Sequence, residues 1–434
     1  MTLVIDILYL GFLLVTFPYY ATIVLRNPAL WSVLWARFGN LAARRGDGPC
    51  IWIHGVSVGE VLAARTLVEE LRARYPEWEI VVSTTTLTGH EVALKTYPGV
   101  RIIYFPVDLS FAVRRVLKRI RPSAIILVEQ EMWPNLLLLA DAVGIPVAIV
   151  NGRITERAMR RYRIVRNVME RFARNVAFCC SQPEYAARFR SLGVPADRVA
   201  ITGNMKYDTV VVPDDIVATR REARAVLGVA EGDWLVLAGS THATEEEMVL
   251  RAWQKLRREL PRARLLLAPR HPERCAEVAR TVEAAGHAVL RRSALGAAPP
   301  GEGVLLLDTI GELRRMYAAA DAVFVGGSLI PHGGQNVMEP AALGLPVVFG
   351  PSMENFQEVT NLLLADRGAI QVRDEPGLAE ALARLAREPA DAREMALRGR
   401  EVVRQQRGAT ARNVEIIGRL LARAPRWWAR REMA

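Results

Sequence analysis

Cysteine is scarce, with four residues in a chain of 434. Cys50 and Cys275 stand alone, Cys179 and Cys180 are adjacent in an apolar run, and no C-x-x-C occurs. This excludes a disulfide scaffold and leaves buried thiols in a reducing compartment. The six histidines do not fall at metal-ligand spacing, so no metal site is expected. D-x-D is absent as well, and with it the pair of carboxylates that commonly grips a divalent ion on a pyrophosphate. The nearest imitation is Glu129-x-Glu131 in "VEQEMWPN". No cofactor is expected.

Hydrophobic residues make up 51% of the chain, which excludes disorder. Net charge is +11, which asks for an anionic partner: nucleic acid, a membrane face or a phosphorylated substrate. Residues 3–25, "LVIDILYLGFLLVTFPYYATIVL", carry only Asp6 as a charge. That length reaches across a bilayer with some tilt, or lies in its surface if Pro18 bends it. No basic stretch precedes it and no small-residue cleavage site follows, so it is retained. Arg26, Arg37, Arg44 and Arg45 follow, which places the rest of the chain in the cytoplasm. Trp31, Trp35 and these arginines suit a headgroup zone.

Beyond residue 48, short apolar runs alternate with amphipathic stretches. "CIWIH", "EIVVSTTT", "VRIIYFPVD", "AIILVE", "PVAIVN" and "VAITGN" read as strands, and helical segments separate most of them. Residues 208–232 are polar and charged and read as the interdomain connection. The pattern restarts with "WLVLAG", "ARLLLAPR", "GVLLLD", "AVFVGG" and "PVVFGP", while "SALGAAPPGEG" reads as a loop. Such alternation implies two doubly wound α/β halves, with ligands beyond the strand carboxyl ends.

Polar motifs stand at those ends: "HGVSVGE", "EMWPN", "TGNMKYD", "STHATEEE", "PRHPER", "DTIGEL" and "GGSLIPHGGQNVMEP". "HGVSVGE" has the glycines of a phosphate cradle, yet Glu60 puts a carboxylate where a phosphate would be repelled. A carboxylate at a helix start is favoured in its ionised form and can accept a proton from an attacking hydroxyl. In "QNVME", Asn336 and Glu339 share one helix face, and the carboxylate suits a ribose diol.

Apart from "STHATEEE", and in this order, the motifs resemble those of the 3-deoxy-D-manno-octulosonic acid (Kdo) transferases of lipopolysaccharide synthesis, from the N-terminal apolar segment to about residue 420. The resemblance implies an α/β fold of two Rossmann-like domains in a GT-B arrangement behind a membrane-anchoring helix. The anchor would occupy 1–28, an acceptor domain 29–212, a donor domain 213–410 and a basic, aromatic helix 411–434. It implies metal-independent transfer of Kdo from CMP-Kdo to the lipid A precursor at the cytoplasmic face of the inner membrane. It places the general base at Glu60 and transition-state stabilisers at Glu129 and Lys206. CMP contacts would come from Pro269, Arg270, Ile310, Gly311, Glu312, Asn336, Val337, Met338 and Glu339. The basic charge is then explained by anionic inner-leaflet lipids and a phosphorylated acceptor, with no nucleic acid. Three departures touch the acceptor side: Gly55 for a usual serine, Gln130 for a usual threonine, and "NGRIT" for "NARLS". The alternatives are a GT-B transferase using a UDP-sugar and a membrane-associated acceptor, or a basic, tethered binding protein. The tail tryptophans Trp427 and Trp428 either add membrane contacts or belong to a helix closing on the first domain.

Overall fold

In a computed structural model, residues 1–26, 29–129, 132–162, 166–296 and 302–422 are described. Glu131, Gln130, Trp427 and Trp428 lie outside them. The chain forms two compact units: Met1–Thr209 with Arg407–Ala434, and Val210–Gln406.

The first unit holds a seven-stranded parallel sheet: β1 (Cys50–His54), β2 (Glu79–Thr84), β3 (Arg101–Tyr104), β4 (Ala124–Val128), β5 (Val147–Gly152), β6 (Val176–Cys180) and β7 (Val199–Ile201). Their order is β3-β2-β1-β4-β5-β6-β7. The runs "CIWIH" and "AIILV" are buried at every position, because helices cover both faces of the sheet. Trp52 and Phe105 fill one face, and Ile51, Ile53 and Ile126 the other.

The second unit repeats the plan with β8 (Trp234–Thr241), β9 (Ala263–Pro269), β10 (Val289–Arg291), β11 (Val304–Leu306), β12 (Ala322–Val325), β13 (Val347–Phe349) and β14 (Ile370–Gln371). Their order is β10-β11-β9-β8-β12-β13-β14. Each sheet reverses its winding once, between β1 and β4 in the first and between β8 and β12 in the second. A doubly wound sheet opens a crevice at that reversal, beyond the carboxyl ends of the strands.

Three strands escaped the sequence pattern. Val176–Cys180 is the apolar run around the paired cysteines, Val289–Arg291 is only half-buried, and Ile370–Gln371 is two residues long. The stretch read as a connection contains the helix Ile216–Leu227, capped by Asp215 and ended by Gly228 at φ 61°. Its Ala223 and Leu227 are buried in the second unit, so a charged surface concealed an amphipathic helix. All four cysteines are buried and unbridged.

After the second unit the chain returns to the first. Helix Ala409–Ala422 packs Ala409, Val414, Ile417 and Leu421 into the β1 face of that core. Asp208 fixes its start by accepting hydrogen bonds from the N–H groups of Gly408 and Thr410, both at 2.6 Å.

Among the described residues, no helix is long and apolar enough to cross a membrane. The first helix, Thr2–Arg26, is docked through Asp6. Asp6 accepts from the Ser110 amide (2.8 Å), the Ser110 hydroxyl (2.5 Å) and the Asn135 side-chain amide (2.9 Å). Two of the flanking arginines face inward rather than toward headgroups. Arg44 is buried against Glu79 at 3.0 Å, and Arg37 donates to the Phe105 carbonyl at 3.1 Å.

Beside Asp6, burial pushes the Asp108 carboxyl up to about 7, although it accepts from the Asn135 and Leu136 amides. The folded state therefore holds this proton where the unfolded chain, near 3.8, has released it. Stability is expected to fall as pH rises from about 4 to about 7 and to level off above. Denaturant titrations across that range should show a shallower slope in Asp108→Asn than in the wild type.

Candidate functional site

At the reversal of the first sheet, the loop after β1 is shaped by a capping arrangement. Ser57 caps helix Val58–Ala63 by accepting from the Glu60 amide, and its hydroxyl donates to Glu60 Oε1 at 3.1 Å. The Val56 amide donates to Glu60 Oε2 at 2.6 Å. The carboxylate is thus held back over its own loop, as the glutamate of a capping box is. Each oxygen retains a second lone pair. Burial pushes the Glu60 carboxyl above the usual glutamate range; the Val56 amide opposes this and the charge of Glu129 adds to it. A six-residue helix has too little dipole to reverse that, so the environment favours proton uptake rather than the ionised form expected from the sequence.

Glu129 follows β4, on the other side of the reversal. Its Oε1 lies 3.3 Å from Lys206 Nζ and accepts from the Asn151 side chain at 3.4 Å; Arg153 approaches its Oε2 at 3.8 Å. Both Glu129 (φ 65°) and Asn151 (φ 53°) are left-handed. Neither is glycine, and such conformations persist where surrounding contacts impose them. Here Asn151 also accepts from the Met205 amide at 3.2 Å, which ties the end of β5 to the turn carrying Lys206. His54, by contrast, is a core residue: buried, stacked on Phe105 at 3.7 Å and pushed down to about 3 by burial.

In the second unit, Pro269 ends β9 and Arg270 follows it, exposed, its amide bonded to the Thr241 carbonyl. Ile310 stands 85% exposed and Gly311 turns at φ +88°. Glu312 pairs with Arg292 at 3.0 Å and accepts from the Thr309 hydroxyl. Asn336 accepts from the Met338 amide at 2.9 Å, opening helix Met338–Ala342. Val337 and Met338 are buried, and Glu339 meets Arg314 at 3.2 Å. That ion pair joins the Ile310–Glu312 turn to the Asn336–Glu339 turn.

The glycine-rich loop between them is set by a carboxylate. Glu245 is fully buried, and it accepts from the amides of His242, Gly327, Ser328 and Leu329 at 2.6–3.0 Å. Neighbouring Glu246 takes Arg274 at 2.8 Å and the Thr241 hydroxyl at 2.9 Å.

Residues 33–209 match the family profile described as 3-deoxy-D-manno-octulosonic-acid transferase (kdotransferase). The chain is 34% identical to the 3-deoxy-D-manno-octulosonic acid transferase of Haemophilus influenzae, over 89% of this chain and 90% of that protein. It is 33% identical to the Bordetella pertussis protein of the same name, over 91% and 97%. The chain belongs to the 3-deoxy-D-manno-octulosonic acid transferase family. It is therefore a glycosyltransferase. A crystallised glycosyltransferase from Rickettsia africae shares the two-domain α/β fold, with a TM-score of 0.54 at 11% identity over 87% of this chain and 99% of that one. Two parallel-sheet domains of the GT-B type are thus present.

Within this Kdo transferase fold, Glu60, Glu129 and Lys206 gather at one sheet edge, while Arg270, Ile310–Glu312 and Asn336–Glu339 gather at the edge of the other sheet. Sequence reasoning missed Ser57, Asn151, Arg153 and Glu245. "S-x-x-E" in "SVGE" was a usable signal for the first. The other three lie in "NGRIT" and "STHATEEE", but nothing local gives their roles, because most of their partners lie far along the chain. Glu245→Gln keeps the shape but turns an N–H donor toward backbone N–H groups. It should cost about 2–4 kcal/mol, read in the denaturation of the second unit, with faster hydrogen exchange confined first to residues 326–334.

Proposed function

We propose that this protein transfers Kdo from CMP-Kdo to a hydroxyl of the lipid A precursor, without a metal, in lipopolysaccharide synthesis. The observation that carries the reading is Glu60 at the sheet reversal, with the Glu129–Lys206 pair acting on its charge. The first unit takes the acceptor. The second takes CMP through Pro269, Arg270, Ile310–Glu312 and Asn336–Glu339, where exposed Ile310 offers an apolar surface to the base. An acceptor hydroxyl attacks the anomeric carbon and its proton passes to Glu60. The bond from that carbon to the phosphate oxygen breaks, and CMP leaves with the electron pair. A monophosphate leaving group carries less charge than a nucleoside diphosphate, and a cationic side chain such as Arg270 can offset it by charge-assisted hydrogen bonds.

The test is mass spectrometry of products from purified protein, CMP-Kdo and tetraacyl lipid A precursor after exhaustive EDTA treatment, with UDP-sugars as alternative donors. Kdo-bearing lipid is expected from CMP-Kdo alone; activity that returns only with magnesium or manganese, or only with a UDP-sugar, would overturn the proposal. Because a base must be ionised, turnover should fall as pH drops through the raised Glu60 range, above that of an ordinary glutamate. Glu60→Gln should lose at least about 100-fold in turnover, roughly 2.7 kcal/mol of barrier, and should abolish that acid limb while CMP affinity holds. Near-normal turnover would leave Glu60 a helix cap.

The protein works at the cytoplasmic face of the inner membrane, held there by the docked first helix lying in the surface. With Asp6 turned onto the domain, Val4, Leu8 and Val15 lie on the opposite helix face and Leu3, Ile7, Leu10 and Leu14 along its flank, and all are exposed. Trp31 and Trp35 on helix Ala29–Arg37 are exposed as well. These apolar and amphipathic side chains suit the boundary of headgroups and acyl chains. Replacing Leu3, Ile7, Leu10 and Leu14 together by serine should release folded protein from vesicles containing anionic lipid in a flotation assay. Unchanged flotation of the folded variant would place the attachment elsewhere.

A further inference from the structure

Three of the chain's six histidines meet at the reversal of the second sheet, although 90 residues separate the first from the last. His242 follows β8, His271 follows β9, and His332 lies in the loop after β12. The rings of His242 and His332 are 3.9 Å apart, and those of His242 and His271 5.8 Å. Gln335, one residue before Asn336, reaches His242 Nε2 at 3.2 Å. Gly327 forms the floor: a Cβ there would stand 3.3–3.4 Å from His242, His332 and Gln335, and its φ is +66°. The glycine therefore keeps the rings close together above the backbone.

The surroundings are cationic. Arg270, Arg274 and the two other rings all act on His242, and with its burial they push it down to about 4. His242 is therefore neutral in the physiological range. The nearby carboxylates are engaged elsewhere: Glu245 by four backbone amides, Glu246 by Arg274 and Thr241. Glu273 faces the group from the solvent side, 3.5 Å from the exposed His271 ring. What remains is a cluster of imidazole N–H donors beside Arg270 and the Asn336 turn.

A phosphate is matched by Arg270 and backbone amides; converging imidazole N–H groups suit a carboxylate, which accepts at two oxygens. In a ulosonic acid the carboxylate is bonded to the anomeric carbon, the same carbon that bears the phosphate ester in the activated donor. A carboxylate pocket must therefore border the phosphate pocket. We propose that His242, His271 and His332 form the specificity pocket for the carboxylate of the donor sugar acid. The N–H donors orient that carboxylate, whose charge stabilises positive charge developing on the neighbouring anomeric carbon. The inference rests on the CMP-Kdo reading of this site.

The experiment compares the KM for CMP-Kdo with the inhibition constant of CMP, in the wild type, His271→Ala, His332→Ala and His332→Asn. Both histidines are exposed, so the variants should fold. Each alanine variant should raise the donor KM about tenfold while CMP inhibition shifts less than about twofold; asparagine, which restores an N–H donor, should recover part of the loss. Equal losses for CMP and CMP-Kdo would assign the trio to phosphate or base, and unchanged values for both would make it packing; either overturns the proposal. A wild type that binds CMP but never consumes CMP-Kdo would sink the functional reading and this inference with it. A wild type that turns over, with variants that keep its ratio, would sink this inference alone.

Discussion

Every strand in both sheets runs parallel to its neighbours, and the rest of the molecule follows from that constraint. Parallel pairing sends each chain segment back across a face of the sheet before the next strand can begin. All carboxyl ends then emerge on one edge, whatever their separation in sequence. Glu60, Glu129, Asn151 and Lys206 are brought together in this way, as are His242, His271 and His332. Burial on both faces makes the strands uniformly apolar, so the polar residues able to do chemistry are confined to their ends.

Carboxylates do two kinds of work at those ends. Glu245 is spent entirely on backbone amides and fixes a loop. Glu60 is held by only two local donors and keeps spare lone pairs, while burial raises its affinity for a proton. The difference lies in how many donors surround each group, not in residue type. A capping geometry and a role as a base are therefore compatible at Glu60, since the cap fixes where the proton acceptor sits.

Much of this was legible in the sequence for physical reasons. Fully buried strands such as "CIWIH" and "AIILV" announce themselves by unbroken apolarity. Val289–Arg291, half-buried, and Ile370–Gln371, two residues long, carry no such mark. Strand-end motifs showed where to look, but not which partners meet. The left-handed backbone at Glu129 and Asn151 is imposed by contacts from other strands, so no local composition encodes it. Asp6 looked like the single flaw in an apolar segment; it is the hook by which that segment is held to Ser110 and Asn135.

The last helix has a consequence for the order of synthesis. Ala409, Val414, Ile417 and Leu421 complete one face of a core whose other strands and helices come from the first half of the chain. That core stays open while the entire second unit is being made. A ribosome must release nearly the full chain before the first-made unit can close, so the half of the protein that begins folding earliest is the one that finishes last. During that interval Asp208 waits with no Gly408 or Thr410 amide to bind, and the uncovered apolar surface beside β1 is where nascent chains of this enzyme would need a chaperone.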